Sequence, residues 1–238
     1  MGKIIESLSL ILPVYNEKKA VEPAVKHCIE VLSGAFEDFE IILIDDGSTD
    51  GTDNVMEKLA KTNKQIKILY NFINLNQGVS IQKGFTVAKK DFVLHNAIDL
   101  PLALEDIPSL IRTAKECDVL VVERKFSAGY TMWRRITSIS NRILRKLLFP
   151  FLSRKIHDMN FTQIYRGSIL TKIMPLAKSP AFTTPEMILR AKLHGLRVKS
   201  ILVDYQPRPT GKGSFGKSHD ILWSMYDMFR FRVKSWKK

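Results

Sequence analysis

The sequence predicts an α/β fold: a mainly parallel sheet flanked by helices. Three observations carry this. Short apolar runs alternate with helix-periodic segments along the first half of the chain. Two of these runs, LSLILPVYNE (residues 8–17) and IILIDDGSTDGT (residues 41–52), stop abruptly at polar clusters, as buried strands do where they leave a parallel sheet. The 238 residues suffice for one full core, and no repeat, low-complexity tract or Pro/Gly-rich linker divides them.

Taken in order, the strand-like runs lie at 8–12, 41–44, 66–70, 92–95 and 118–122, and helical patterns near 18–33, 52–62, 78–89 and 104–115 fill the intervals. Ser48 or Thr49 is placed to cap the helix that runs through Val55, Met56 and Leu59. After Glu123 the rhythm changes. A helical pattern covers 131–155, with Pro150 expected to break it. A helix over 184–194, a turn at Gly195 and a strand over 198–205 follow. In the tail, from Asp220 to Trp236, Leu222, Met225, Phe229, Val233 and Trp236 recur at helical spacing.

Composition narrows the function classes. Hydrophobic residues make up 45% and charged residues 26%, as in an ordinary globular domain. Cys28 and Cys117 offer neither a disulfide framework nor metal spacing, which points to a reducing, cytoplasmic setting. No signal-peptide pattern is visible, and no run reaches the roughly 18 apolar residues of a spanning helix. Lys+Arg 37 against Asp+Glu 24 gives a net charge of +13, so an anionic partner is expected. The basic residues crowd two segments, Arg134 to Lys155 and Lys212 to Lys238, both interleaved with large apolar residues. That mixture suits an anionic membrane surface, and no nucleic-acid motif accompanies it. His27, His157, His194 and His219 have no metal-type spacing.

The chemistry-bearing residues sit at the strand exits. In open α/β sheets, ligands bind outside the carboxyl ends of the strands. Asn16-Glu17 and Asp45-Asp46 would therefore share one rim, where carboxylates can hydrogen-bond a base and ribose or hold a divalent cation.

These segments resemble a family 2 glycosyltransferase of the GT-A fold, in particular the dolichyl-phosphate (polyprenyl-phosphate) mannose synthase branch. The likeness runs from about Ser7 to Arg208. It implies that Pro13, Tyr15 and Glu17 line a nucleotide pocket and that Asp45 and Asp46 contact base and ribose. NLNQGVSIQKG (74–84) resembles a segment packing close to the donor, with Gly78 matched and Asn76 where a glycine is usual. NAIDLP (96–101) stands where the family carries Asp-x-Asp. Asp99 matches the second carboxylate, a ligand for Mg²⁺ or Mn²⁺, but Ala97 replaces the first, and Asn96 or His95 is a candidate to make up the difference.

Arg124 matches an arginine that follows the corresponding strand. Asp158 in DMNFTQIYR resembles an acceptor-loop aspartate, as a base or a loop-fixing residue. Glu186 falls where the family often has an acidic residue. Arg134 and Arg135, with Arg208, Lys212 and Lys217 of the RPTGKGSFGK loop, are candidates for an acceptor phosphate.

The implied activity is inverting transfer of a sugar of the mannose or glucose class from a nucleotide-diphosphate donor to a polyprenyl phosphate. Asp99, Asp158 and Arg124 would act at the cytosolic face of a membrane. The alternatives are a GT-A enzyme with a soluble or protein acceptor, or a nucleotide-sugar binder without turnover, the latter suggested by Ala97. Residues 1–216 would form the GT-A domain and 217–238 an amphipathic basic helix whose removal beyond Ser218 spares the fold.

Overall fold

The computed structural model describes residues 2–125, 132–152, 155–204 and 218–235, with the side chains of 132–138 and of Ser218 outside that description. Its elements are β1 (Leu8–Val14), α1 (Val21–Ala35), β2 (Phe39–Asp45), α2 (Thr52–Thr62), β3 (Ile66–Tyr70), α3 (Gln77–Val87), β4 (Phe92–His95), α4 (Ile107–Ala114), β5 (Val119–Arg124), α5 (Met132–Leu148), β6 (Thr162–Arg166), α6 (Leu170–Ile173), α7 (Thr183–Leu193), β7 (Val198–Val203) and α8 (Ser218–Ser235).

The strands form one seven-stranded sheet in the order β3-β2-β1-β4-β6-β5-β7. β1 pairs in parallel with β2 and β4, β2 with β3, and β5 with β7, whereas β6 runs antiparallel to both β4 and β5. β2 is buried along its whole length, and β1 except for a half-buried Pro13, because helices cover both faces. On one face, residues of α1, α2 and α4 join a core with Leu10, Leu12, Ile41 and Leu43. On the other, α3, α6 and α7 pack on Ile11, Ile42, Ile44 and Val121. Cys28 and Cys117 are free and buried, and burial pushes the Cys28 thiol up to about 12.

β6 was not anticipated from the sequence. Its FTQIYR segment has strand-favouring residues on either side of a glutamine, and that glutamine is buried at its centre. Gln163 is accommodated because it bonds His95 at 2.9 Å and the carbonyl of Met159 at 3.0 Å, a tertiary arrangement that local pattern cannot reveal. The α2 cap also differs from expectation. The helix starts at Thr52 behind Gly51, which is left-handed and makes no side-chain cap. Ser48 and Thr49 are engaged with Asn16 instead, and the Asp50 carboxylate accepts from Thr52 N at 3.0 Å. α5 ends at Leu148, before Pro150, as its ring requires.

A third cluster joins the ends of α5, α7 and α8: Phe149, Ala177, Phe182, Leu189, Met228 and Phe231. Phe231 lies 5.5 Å from Phe149 and 6.0 Å from Phe182, ring centre to ring centre. The inward side of α8 is therefore Ser224, Asp227, Met228 and Phe231, while Leu222, Met225, Phe229 and Val233, the stripe read from the sequence, face outward. This corrects the expectation that the tail helix is dispensable to the fold. Asp227 is buried and accepts from Lys178 N at 3.0 Å and Ser179 N at 2.9 Å, so removing α8 strips two backbone donors of their acceptor and opens the aromatic cluster. Asp227→Ala is expected to cost about 2 kcal/mol in urea unfolding, and Asp227→Asn, which keeps an acceptor oxygen, clearly less.

Candidate active site

Strand order places the candidate residues. The chain winds from β1 outward to β2 and β3, then returns to lay β4 on the other side of β1, so the direction of winding reverses between β1 and β4. Such a switch point leaves a crevice beyond the carboxyl ends of the strands. Asp45 pairs with Val14 at the last position of β1, which sets Asp45-Asp46 beside Pro13–Glu17. β4 leaves the sheet alongside Ile11, short of the end of β1, so its exit loop with Asp99 lies at the floor of the same crevice. β6 enters the sheet at this rim because it runs backwards, and its incoming loop brings Asp158 beside Arg124 at the exit of β5.

The first two exits are clasped together. Asn16, at a positive φ of 52°, donates its N–H to Ser48 Oγ at 2.9 Å and accepts from Thr49 N on its side chain at 2.8 Å. Glu17 N donates to Thr52 Oγ1 at 3.0 Å and Lys18 N to Asp50 at 3.1 Å. Gly47 has φ 76°, and a Cβ there would stand 2.6 Å from the backbone carbon of Ile73, so the turn admits no side chain. Tyr15 is 45% exposed over this turn, Pro13 and Glu17 are half-buried, and Asp45 and Asp46 are buried.

Both carboxylates are held by donors from the protein. Asp45 accepts from Ser48 N at 3.0 Å. Asp46 accepts from Asn71 Nδ2 at 2.8 Å and from Leu75 N at 3.0 Å, and Asn71 is in turn fixed by Ser80 and Lys83 of α3. Sequence reading missed Asn71. Its only signal is its place directly after β3, where it occupies the next exit along the rim. Asn76 adopts φ 76°, a glycine-like conformation, and caps α3 by accepting from Gly78 N and Val79 N, which explains how an asparagine serves where a glycine is usual. Gly78 itself lies against α7: a Cβ there would meet Thr183 Oγ1 at 2.6 Å, so the structure gives it a packing role.

At the third exit, Asn96 spends its amide on the chain, donating to Leu102 O at 3.0 Å and accepting from Ala97 N at 3.0 Å. His95 is buried beneath the rim against Gln163 and the ring of Phe85, and burial holds its imidazole down at about 4. Neither is disposed to ligate a cation, so both drop out as substitutes for the missing carboxylate. Asp99 is half-buried, and Leu100 beside it turns the chain with φ 49°. Among the described residues no group of three His, Cys, Asp or Glu side chains forms a metal cage. Asp99 is the carboxylate this exit offers, a donor set that would fit only a cation taking most of its oxygens from water or a bound ligand.

At the opposite end, Arg124 Nε donates to Asp158 Oδ2 at 2.6 Å and its guanidinium sits 5.1 Å from the centre of the Phe161 ring. Glu123 is buried, and one of its oxygens accepts from the N–H groups of His157 (2.7 Å) and Asp158 (3.0 Å). Glu186 belongs to none of this. It is 1% exposed and accepts from Leu176 N, Ala177 N and Arg190 Nε, a purely structural clamp. Arg134 and Arg135 lie on α5 with side chains outside the described set, and Arg208, Lys212 and Lys217 lie outside the described residues.

A mainly parallel sheet with this winding, an acidic crevice at its switch point and an arginine–carboxylate pair alongside match the class of nucleotide-sugar transferases with the GT-A fold. The model of the family "Glycosyl transferase family 2" matches residues 9–172, and the chain belongs to that family. Among similar proteins, the undecaprenyl-phosphate 4-deoxy-4-formamido-L-arabinose transferase of Proteus mirabilis is 27% identical over 229 residues, covering 94% of this chain and 67% of that one. The dodecaprenyl-phosphate galacturonate synthase of Rhizobium johnstonii is 27% identical over 236 residues, 96% of this chain and 68% of that one. Glycosyltransferase AglD of Haloferax volcanii is 24% identical over 207 residues, and there the chain spans only 33% of the relative's length. Glucosyl-3-phosphoglycerate synthase from Mycobacterium tuberculosis, crystallised with Mn²⁺, UDP and glucosyl-3-phosphoglycerate, superposes with a TM-score of 0.72 at 16% identity, covering 96% of this chain and 80% of that one, a likeness of fold.

His95 generates a test of this geometry. Its folded-state pKa of about 4 lies below the ordinary value of 6.5, so the unfolded chain takes up a proton that the native protein refuses. Stability from this source is intact above pH 6.5 and falls as pH drops toward 4, by about 3 kcal/mol in all. Denaturant titrations between pH 7 and 4 should show this loss in the wild type and a flatter profile in His95→Asn.

Proposed function

We propose that this chain transfers a sugar from a nucleotide-diphosphate donor to the phosphate of a polyprenyl phosphate, working on a membrane surface. The observation that carries the reading is the convergence, at one rim, of the acidic exits of β1, β2 and β4 with the Arg124–Asp158 pair at the exit of β5. Two of the similar proteins are named for undecaprenyl- and dodecaprenyl-phosphate, which supports the acceptor class.

Asp45, Asp46 and Glu17 hold the nucleoside, with Tyr15 and Pro13 against it and Gly78 supporting the α3 end of the pocket through its packing. Asp46 is oriented in advance by Asn71 and Leu75 N, so little order is lost when the donor binds. A bound Mg²⁺ or Mn²⁺ supplies charge neutralisation for the departing diphosphate, and Asp99 is the residue that would hold it. Arg124, aligned by Asp158, binds the acceptor phosphate and sets one of its oxygens for in-line attack on the anomeric carbon. The new C–O bond forms as the bond to the diphosphate breaks, inverting that carbon. An acceptor phosphate is already ionised at neutral pH, so no strong base is required, and Asp158 serves to orient Arg124. Arg134, Arg135, Arg208, Lys212 and Lys217 are further candidates for this phosphate. A mannose- or glucose-class sugar and the cytosolic face of the membrane complete the reading.

The surface supports membrane contact. On α5, Ile139, Ile143 and Leu147 face outward at intervals of one helical turn, followed by Phe151, which is 83% exposed. On α8, Leu222, Met225, Tyr226, Phe229 and Val233 face outward, with exposed Lys146, Arg230 and Lys234 among the two sets. Apolar residues flanked by lysine and arginine are the pattern of a helix lying in the headgroup layer of an anionic bilayer. No helix among the described residues is long and apolar enough to cross a membrane.

The reading is tested by a donor screen that follows radiolabelled sugar into polyprenyl phosphate with Mg²⁺ or Mn²⁺ supplied and then chelated. Asp46→Ala should abolish calorimetric binding of UDP- or GDP-linked sugars, and Asp99→Ala should remove the enhancement of nucleotide binding by metal. Incorporation only into soluble acceptors would refute the lipid assignment. Leu222→Ser with Phe229→Ser should leave the unfolding midpoint nearly unchanged, yet reduce flotation with phosphatidylglycerol vesicles by about tenfold or more.

A further inference from the structure

Arg145 has no part in the chemistry described above, yet it is a buried cation close to the acceptor end of the cleft. It sits on the inward side of α5 and is 2% exposed. Its Nη2 donates to the carbonyl of His157 at 3.0 Å, and its Nε has no hydrogen-bond partner among the described residues. The charges acting on it are Asp158 and Glu123, of opposite sign, and Arg142, of like sign. Burial lowers its pKa to about 10, which leaves it cationic at neutral pH.

On the other side of the same stretch of backbone, Glu123 of β5 accepts the N–H groups of His157 and Asp158. The His157–Asp158 segment is therefore gripped from two sides by buried groups of opposite charge, and Asp158 in turn aligns Arg124. Burying a guanidinium costs several kcal/mol of desolvation, and a methionine of similar reach would fill the space without that cost. Packing alone does not account for the arginine.

We propose that Arg145 is a positioning residue for the acceptor phosphate. With Glu123 it fixes the peptide that carries Asp158, and its charge balances the two carboxylates so that Arg124 keeps one orientation at the cleft. The proposal rests on the reading of Arg124 as the acceptor-phosphate residue. It also gives α5 two tasks on opposite sides. Ile139, Ile143 and Leu147 face outward, toward the proposed lipid surface, and Arg145, between the last two in sequence but on the inward side, sets the geometry that receives the lipid's phosphate.

The test compares Arg145→Met, Arg145→Lys, Glu123→Gln and the double variant Glu123→Gln/Arg145→Met. Steady-state kinetics use a polyprenyl phosphate in detergent micelles, and nucleotide affinity is measured by calorimetry with UDP and GDP. Arg145→Met should lower kcat/KM for the acceptor by about 10- to 100-fold with nucleotide affinity held within about twofold, since misplacement of a binding group acts on the step it serves. Arg145→Lys should recover part of the loss. The charge-neutral double variant should lose less than the product of the two single losses, and it also provides a folded comparison if Arg145→Met alone is unstable. Parallel loss of acceptor and nucleotide parameters, or a double variant equal to the product of the singles, would reduce Arg145 to a structural role and overturn the proposal alone. A wild type that turns over no polyprenyl phosphate with any donor would overturn the acceptor reading and this proposal together.

Discussion

The parallel registers of β1 with β2 and of β1 with β4 are what the rest of the site depends on. Each strand ends its pairing at a fixed residue, Asp45 opposite Val14 and His95 opposite Ile11, and a slip of one residue would turn every side chain to the other face of the sheet. Ile11 and Ile42 would then trade places with Leu12 and Leu43 between two cores that are each already filled. Hydrophobic packing on both faces thus fixes where the acidic residues emerge. The chemistry at the rim is held in place by apolar residues several positions earlier in each strand.

Where apolar packing ends, buried carboxylates take over the work of fixing loops. Glu123 and Asp227 with one oxygen, and Glu186 with both, accept from backbone N–H groups of a segment that has no regular structure: 157–158, 178–179 and 176–177 respectively. Hydrogen bonds from backbone N–H to a carboxylate are stronger than neutral ones, and losing the acceptor leaves the donors stranded. The segments so held border the site. The stretch 176–179 backs onto the α3 end at Gly78, through Ser179 and Gln82, and 157–158 carries the partner of Arg124. Asp46 does the same for Leu75 N at the exit of β2.

Much of this architecture was legible in the sequence because its strands are short apolar runs with polar stops, a pattern that needs no tertiary information. Asp45 and Asp46 were legible for the same reason, as the first polar groups after such a run, and Glu17 stands behind Asn16 in the cluster that ends the first run. Asp99 and Arg124, which follow Asn96 and Glu123, were legible through the family resemblance. What could not be read depends on partners distant in sequence. β6 is a strand because Gln163 finds His95 and Met159, and Asn71 matters because Asp46 and Ser80 converge on it. The cap of α2 was misjudged because Ser48 and Thr49 had a competing partner in Asn16, more than thirty residues earlier. In the tail helix the periodicity was read correctly, but the second, inward side with Met228 and Phe231 was not. Large apolar residues line both sides of α8, and only the aromatic cluster around Phe149 and Phe182 decides which side turns inward.

The reversed strand also constrains the order in which the molecule is assembled. β6 lies between β4 and β5, so the first four strands can associate as soon as residues up to His95 are available, yet their β4 border stays unsatisfied. Its exposed N–H and C=O groups remain a template for foreign strands until residues 162–166 arrive from beyond α5. A ribosome must add almost seventy residues after β4 before that border closes, so a nascent chain stalled in this interval is the form of the molecule most exposed to mispairing with its neighbours.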